Sequence, residues 1–338
     1  MSRPARALLA LLAAALGLVA AAAAAPPDPA PGRPAPGRRL TVDDLSVVKL
    51  RATAVPDARS IAALGQHREG SGVVIDARGL VLTIGYLILE AEQVELSTAD
   101  GRAFPATVVA YDAATGFGLV RSLVPLPIAP VAFGDSSAIA DREPVLIVGF
   151  DGVAPAYVVS RRRFVGHWEY LLDEAIYTAP ATVNWSGAAL LSRQGRLLGI
   201  GSLLVPDAAG PGTQVPGNLF VPIDLLKPLL PDLIARGRSS APPRPWLGLH
   251  TQEVQGNVIV TQVLPDAPAE RAGIRPGDIV LALDGEPVRG QADFYTRLWS
   301  RGSAGVEVAL EVLRAGRVQT VAVKTGDRDA YYRRRPTY

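Results

Sequence analysis

Residues 182–191 read TVNWSGAALL, and from residue 184 the chain runs on as NWSGAALLSRQGRLLGIGS. Ser186 stands before a glycine in a tight turn, and an apolar strand follows. A serine hydroxyl is a poor nucleophile until a neighbouring base takes its proton. What surrounds this turn therefore decides both the fold and the chemistry. The chain offers three histidines, His67, His167 and His250, as its whole imidazole supply.

Outward from the turn, a length of 338 residues suits two domains, and 49% hydrophobic residues allow a large buried core. The net charge of +2 makes no case for nucleic acid as a partner. With no cysteine, disulfides, cysteine-based zinc sites and thiol catalysis are excluded. No His, Asp and Glu cluster has metal-ligand spacing and no glycine-rich loop reads as phosphate-binding, so no metal and no cofactor are expected. Residues 1–25, with MSRPAR followed by ALLALLAAALGLVAAAAAA, match a secretory signal peptide with a cleavage site near Ala21 to Ala25. The rival is an uncleaved anchor, the one case in which a membrane contact is expected. Either way the expected location is outside the cytoplasm, in a bacterial periplasm. The proline-rich residues 26–44 read as a linker. The basic tail at 327–338 contains YYRRRPTY and reads as solvated, with a membrane surface or an acidic partner as the alternative.

Residues 45–236 hold short Val, Ile and Leu runs separated by turn signals, among them Asp100-Gly101 and Asp151-Gly152. That pattern predicts an all-β barrel or sandwich. The stretch PIDLLKPLLPDLIARG predicts a closing helix capped by Gly237. A second linker covers 237–244. Residues 245–326 then combine strands such as NVIVTQVL and EVALEVLRAG with helices over Ala267 to Ala272 and Gln291 to Trp299.

This last segment resembles a PDZ domain of the bacterial protease type. WLGL at 246–249 and APAERAGIRPGDIVLALDG follow the pattern SPAxxAGIxxGDxIxxxxG of such domains. The resemblance implies a groove between a strand and a helix, where peptides or protein C-termini add to the strand edge. Leu247, Gly248 and Leu249 would receive the carboxylate, and Phe294 and Leu298 would either wall the pocket or belong to the core. Gly273, Gly277 and Asp278 read as turn residues.

The layout ahead of it resembles the HtrA (DegP-like) serine proteases, from Gly70 to Ile223. DGRAFPATVVAYDAATGFGLVR is similar to DGREFPAxVVGxDPxTDLAVLK, and NWSGAALLSRQGRLLGIGS to GNSGGPLVNxxGxVIGINT. The implied fold is mainly β: a trypsin-like double β-barrel followed by an α+β PDZ domain. At the family's catalytic positions Ser186 is retained, Tyr86 stands where the histidine falls, and Gly116 stands where the aspartate falls. A tyrosine phenol, with a pKa of about 10, is protonated at neutral pH and is a poor base. Asn184 and Ser186 would form the oxyanion turn, a shape open to Asn184 because asparagine can reach a left-handed conformation, and Trp185 would crowd the cleft. His67 is the best-placed spare base, and Asp112 reads as a turn residue and not as a rescued acid.

These substitutions imply a pseudoprotease that binds peptides through its PDZ groove, as a scaffold, adaptor or chaperone-like factor in envelope quality control. The alternatives are an active endopeptidase using Ser186 with a non-standard base, and a membrane-tethered regulator of another protease. If only chemistry is lost, Tyr86→His with Gly116→Asp is expected to restore reactivity. The resemblance also implies a trimer, for which residues 45–55 are the candidate segment, although they carry no aromatic signature and the oligomeric state stays open.

Overall fold

Short runs of β-branched and leucine residues, broken by glycine turns, close here into two six-stranded barrels. The computed structural model describes residues 41–332. The expected signal segment 1–25, most of the linker 26–44 and the end of the basic tail lie outside the described residues.

Barrel 1 is built from β1 (Val47–Ala54), β2 (His67–Val74), β3 (Leu80–Ile84), β4 (Ala91–Ser97), β5 (Ala103–Tyr111) and β6 (Phe117–Ser122). It closes in the order β1-β2-β3-β6-β5-β4. Alternation sets its inside: Val48, Leu50, Ala52 and Ala54 of β1 are buried while Arg51 between them is exposed. The segment 45–55 is thus largely a barrel strand, hydrogen-bonded on both edges to β2 and β4. The short helix α1 (Ile61–Leu64) lies between β1 and β2.

Barrel 2 comprises β7 (Pro144–Gly149), β8 (Gly152–Gly166), β9 (Tyr170–Ala179), β10 (Ala189–Leu191), β11 (Leu197–Val205) and β12 (Gly217–Pro222), closed as β10-β11-β12-β9-β8-β7. The β8–β9 pair forms a long hairpin, paired from Tyr157↔Ala179 to Gly166↔Tyr170 with register shifts at Val158/Ser160 and Arg162/Phe164, and turns at His167, Trp168 and Glu169. The single closing helix expected over PIDLLKPLLPDLIARG is two pieces, a 3-10 turn at Ile223–Leu225 and α2 (Leu230–Arg236). Pro228 accounts for the break, because proline offers no N–H and disfavours a helical residue before it. Gly237 caps α2 with φ 70°.

The C-terminal sheet contains β13 (Leu249–Val254), β14 (Asn257–Val263), β15 (Ile279–Leu283), β16 (Glu286–Pro287), β17 (Glu307–Arg314) and β18 (Arg317–Lys324), ordered β13-β14-β15-β17-β18 with β16 on β15. Helices α3 (Pro268–Arg271) and α4 (Gln291–Ser300) cover it. Phe294 and Leu298 are fully buried in its core with Leu247 and Leu249.

Two boundaries differ from expectation. Residues 42–44 belong to a 3-10 turn, Val42–Leu45, whose Asp43 accepts the Ala99 N–H at 2.9 Å, so the packed chain begins inside the expected linker. The start of the expected tail folds as α5 (Arg328–Tyr331), with Asp327 accepting the Asp329 N–H at its N-terminus. The Tyr331 ring lies 4.7 Å from that of Trp246 and its hydroxyl donates to Pro265 O at 2.8 Å, so aromatic packing outweighs the charge of this segment.

Candidate functional site

The Ser186 turn is held by backbone bonds to both barrels. Ser71 N–H in β2 donates to Ser186 O at 2.8 Å, Gly187 N–H to Gly201 O at 2.9 Å, and Ala188 N–H to Trp185 O at 3.1 Å. Gly187 has φ 72°, and a Cβ there would overlap the Ser71 carbonyl. The left-handed residue of the turn is therefore Gly187, and Asn184 keeps a negative φ and leaves the left-handed conformation unused. The Asn184 N–H donates to Thr182 Oγ1 at 3.3 Å, inside its own loop.

Tyr86 sits in the 3-10 turn Gly85–Leu87 that follows β3. The buried Arg68 holds this turn, donating to Tyr86 O at 2.9 Å and to Leu89 O at 2.6 Å. The Tyr86 hydroxyl donates to Ser202 O at 3.0 Å and lies 2.9 Å from Ser186 Oγ. A phenol has one proton. With that proton on the Ser202 carbonyl, Ser186 is the donor to Tyr86. Burial pushes the Tyr86 pKa further above its ordinary value, and the bond to Ser186 offsets only part of that rise. The Trp185 ring meets Tyr86 edge-on, with centroids 6.5 Å apart.

Gly116 has φ 83°, and its carbonyl accepts the Gly85 N–H at 2.7 Å. A Cβ at Gly116 would lie 3.2 Å from the Tyr170 hydroxyl, which itself donates to Thr115 O at 2.5 Å. Gly116, expected to stand at the aspartate position, is thus in a left-handed backbone turn with a phenol beside it. Asp112 accepts Thr115 N–H at 2.8 Å and Thr115 Oγ1 at 2.6 Å, a local turn bond. His67 is exposed at the start of β2, with Nδ1 3.3 Å from Thr53 Oγ1. Among the described residues, the side chain bonded to the Ser186 hydroxyl is Tyr86. A cavity of about 840 Å³ opens beside this pair and is walled by Tyr86, Trp185, Trp168, Tyr170, His167 and His250.

The second site lies at WLGL. Gly248 has φ 80°, and a Cβ there would overlap that of Ala267. Three successive N–H groups point at one carboxylate, that of Glu169 in the β8–β9 turn. Leu247 N is 3.0 Å from Oε2, and Gly248 N and Leu249 N are 2.7 and 2.9 Å from Oε1. Glu169 is 5% exposed. Burial pushes its pKa up to about 7, while the three N–H groups and the nearby Arg328 pull it back. Sequence reasoning missed Glu169: its partners lie 78 to 80 residues away, and HWEY carries no local sign of them. Among the described residues, no group of three metal-ligating side chains is assembled.

Residues 70–200 match the trypsin-like peptidase domain family and residues 245–325 match the PDZ domain family. Over 273 residues the chain is 29% identical to the periplasmic pH-dependent serine endoprotease DegQ of Escherichia coli (strain K12), covering 75% of this chain and 58% of that protein. Over 275 residues it is 26% identical to the periplasmic serine endoprotease DegP of Salmonella typhimurium, covering 75% and 55%. The chain carries the domain pair of HtrA/DegP-type proteases, a trypsin-like peptidase domain followed by a PDZ domain. It thus spans less than three-fifths of the length of these two HtrA relatives. Among solved structures it is similar to the HtrA-type protease AlgW with decapeptide, with a TM-score of 0.51 at 22% identity over 84% of this chain and 95% of that one. That likeness is one of fold: a mainly β, trypsin-like double barrel followed by an α+β PDZ domain.

Proposed function

We infer that this HtrA member is a pseudoprotease that binds peptides or protein C-termini through its PDZ domain. The observation that carries the inference is the Tyr86 hydroxyl, 2.9 Å from Ser186 Oγ and committed as donor to Ser202 O. A base for Ser186 must have a free lone pair and a pKa near the working pH. Tyr86 accepts a hydrogen bond from Ser186, but burial makes it less able to keep the proton as a cation or to act as a phenolate. At Gly116 no carboxylate is present to orient a base, and the Asn184 N–H is turned into its own loop, which argues against a two-donor oxyanion hole.

The catalytic assignments, Ser186 as a retained but unserved nucleophile with Tyr86 and Gly116 at the histidine and aspartate positions, belong to this proposal. So does carboxylate binding at Leu247, Gly248 and Leu249. An extracytoplasmic location is supported by the periplasmic names of the DegQ and DegP relatives, and a role as scaffold or adaptor in envelope quality control is part of the same proposal.

The test is labelling of the purified protein by a serine-reactive phosphonate probe, with Ser186→Ala as control. Equal, background labelling of both is the expected result. Labelling that disappears in Ser186→Ala would establish an active endopeptidase with an unusual base.

A further inference from the structure

The tip of the β8–β9 hairpin presents to the C-terminal domain the groups that an incoming chain terminus would present. The Glu169 carboxylate takes all three N–H groups of the WLGL loop. Two residues upstream, the His167 carbonyl accepts the Thr251 N–H of β13 at 2.9 Å, a backbone bond to the strand edge that a bound peptide would use. Further up the hairpin, Val165 packs on the apolar cluster of Leu247, Leu249, Phe294 and Leu298. Helix α4 closes the other side. Gln291 Nε2 donates to Gly166 O at 3.3 Å, and the Tyr295 hydroxyl accepts the Glu169 N–H at 3.2 Å.

Carboxylate, strand-edge carbonyl and apolar side chain are thus all supplied from within. Such polar matching is not incidental packing, because a carboxylate buried without donors is strongly unfavourable, and these three donors satisfy it. We propose that the β8–β9 hairpin is a built-in ligand of the PDZ groove, and that a protein C-terminus with an apolar last residue binds by displacing Glu169 from Leu247, Gly248 and Leu249. The proposal rests on the peptide-binding reading of the PDZ domain and adds its regulation. A tethered ligand competes at a high effective concentration, so external peptides see only the open fraction of the groove.

The experiment uses the full chain, as wild type, Glu169→Gln and Glu169→Ala. The glutamine variant keeps the shape of the side chain should the alanine variant fold poorly. The probe is a fluorescein-labelled pentapeptide ending in Phe-Val with a free carboxylate, alongside its C-terminal amide. Anisotropy gives affinity, and hydrogen exchange reads protection of the amides at 247–249. Both variants are expected to lose protection at these amides and to bind the free-carboxylate probe at least about tenfold more tightly than wild type, with the amide probe binding to none. Equal probe affinity in all three proteins, with unchanged protection, would overturn the built-in ligand. Lost protection without probe binding in the variants would uphold the internal contact and overturn the peptide-binding reading beneath it.

Discussion

The Ser186 turn and the WLGL loop are both tight backbone turns built around a left-handed glycine, and they have met opposite fates. At Ser186 the shape persists: Gly187 holds φ 72° and the turn is bonded to Ser71 and Gly201. On the proposed reading, the machinery around it is replaced by a phenol and a glycine. At WLGL, on the same reading, the carboxylate-binding donors stand three in a row, and a side chain from the same molecule occupies them. The difference teaches that a turn's shape is set by packing and backbone bonds, while its chemistry depends on distant residues that can change without disturbing it.

The hardest way to break this comparison is to attack the shape alone. Gly187→Ala forces a Cβ into the Ser71 carbonyl at a positive φ, with Thr83 Oγ1 also close. The obstacle is backbone in the middle of the interface between the barrels, so it has little room to yield. We expect a loss of about 3 kcal/mol or more in urea denaturation. A loss under about 1 kcal/mol would show that the turn is not rigidly specified and that its preservation needs another cause.

A second prediction sharpens the other half. Docking of the hairpin links to pH through two groups of opposite sign. The Glu169 pKa is pushed up to about 7 by burial, so its support for docking is full below the ordinary carboxylate range and is lost as pH rises through about 7. The His250 pKa is lowered to about 4 by burial, by His167 (rings 4.9 Å apart) and by Arg328. Its support is full above the ordinary histidine value of about 6.5 and is lost as pH falls toward 4. His167, also lowered by burial, acts in the same sense as His250. The other groups along the contact, Arg328 on α5 and Tyr295 on α4, keep their charge states between pH 5 and 8. The two effects nearly cancel, so exchange protection of amides 247–249 in wild type should vary only about threefold over that range. In Glu169→Gln the histidine effect stands alone, and the residual protection left by the weakened docking should fall on the order of tenfold from pH 7 to 5. In His250→Asn the carboxyl effect dominates and protection should rise by a similar factor. A wild-type profile as steep as either variant's would mean that the groups do not share one docking equilibrium.

The same contrast explains what was legible in the chain. The barrels and the PDZ domain were readable because alternation, glycine turns and APAERAGIRPGDIVLALDG are local patterns. Tyr86, Gly116 and Ser186 were singled out because each sits in a short motif, and their catalytic assignment belongs to the proposal. Their partners were not legible. The bond from Tyr86 to Ser202 spans 116 residues, that from Tyr170 to Thr115 spans 55, and each joins barrel 1 to barrel 2, a proximity that comes from the packing of one barrel on the other. Glu169 belonged to an unremarked hairpin turn, and its meaning exists only once the hairpin reaches the C-terminal sheet. The expected repair by Tyr86→His with Gly116→Asp meets an obstacle of the same kind: the φ of 83° at Gly116 and the adjacent Tyr170 hydroxyl are invisible in TGFGLV. An aspartate there is strained by about 1–2 kcal/mol before any chemistry begins.

The smallest expected effect falls on the pair that first raised the question. Tyr86→Phe removes one hydroxyl and leaves the ring against Trp185. The Ser202 carbonyl and the Ser186 hydroxyl each lose a partner, but Ser202 lines the neighbouring cavity of about 840 Å³ and Ser186 is only half-buried, so water can reach both. A loss of about 1 kcal/mol in urea denaturation is therefore expected, with phosphonate labelling as low as in wild type. Here the two readings of Ser186 part cleanly. If Tyr86 only caps an unserved serine, its hydroxyl matters to stability and not to reactivity. If Tyr86 is an unusual base, wild type labels and Tyr86→Phe does not, and the retained turn would then be a working nucleophile after all.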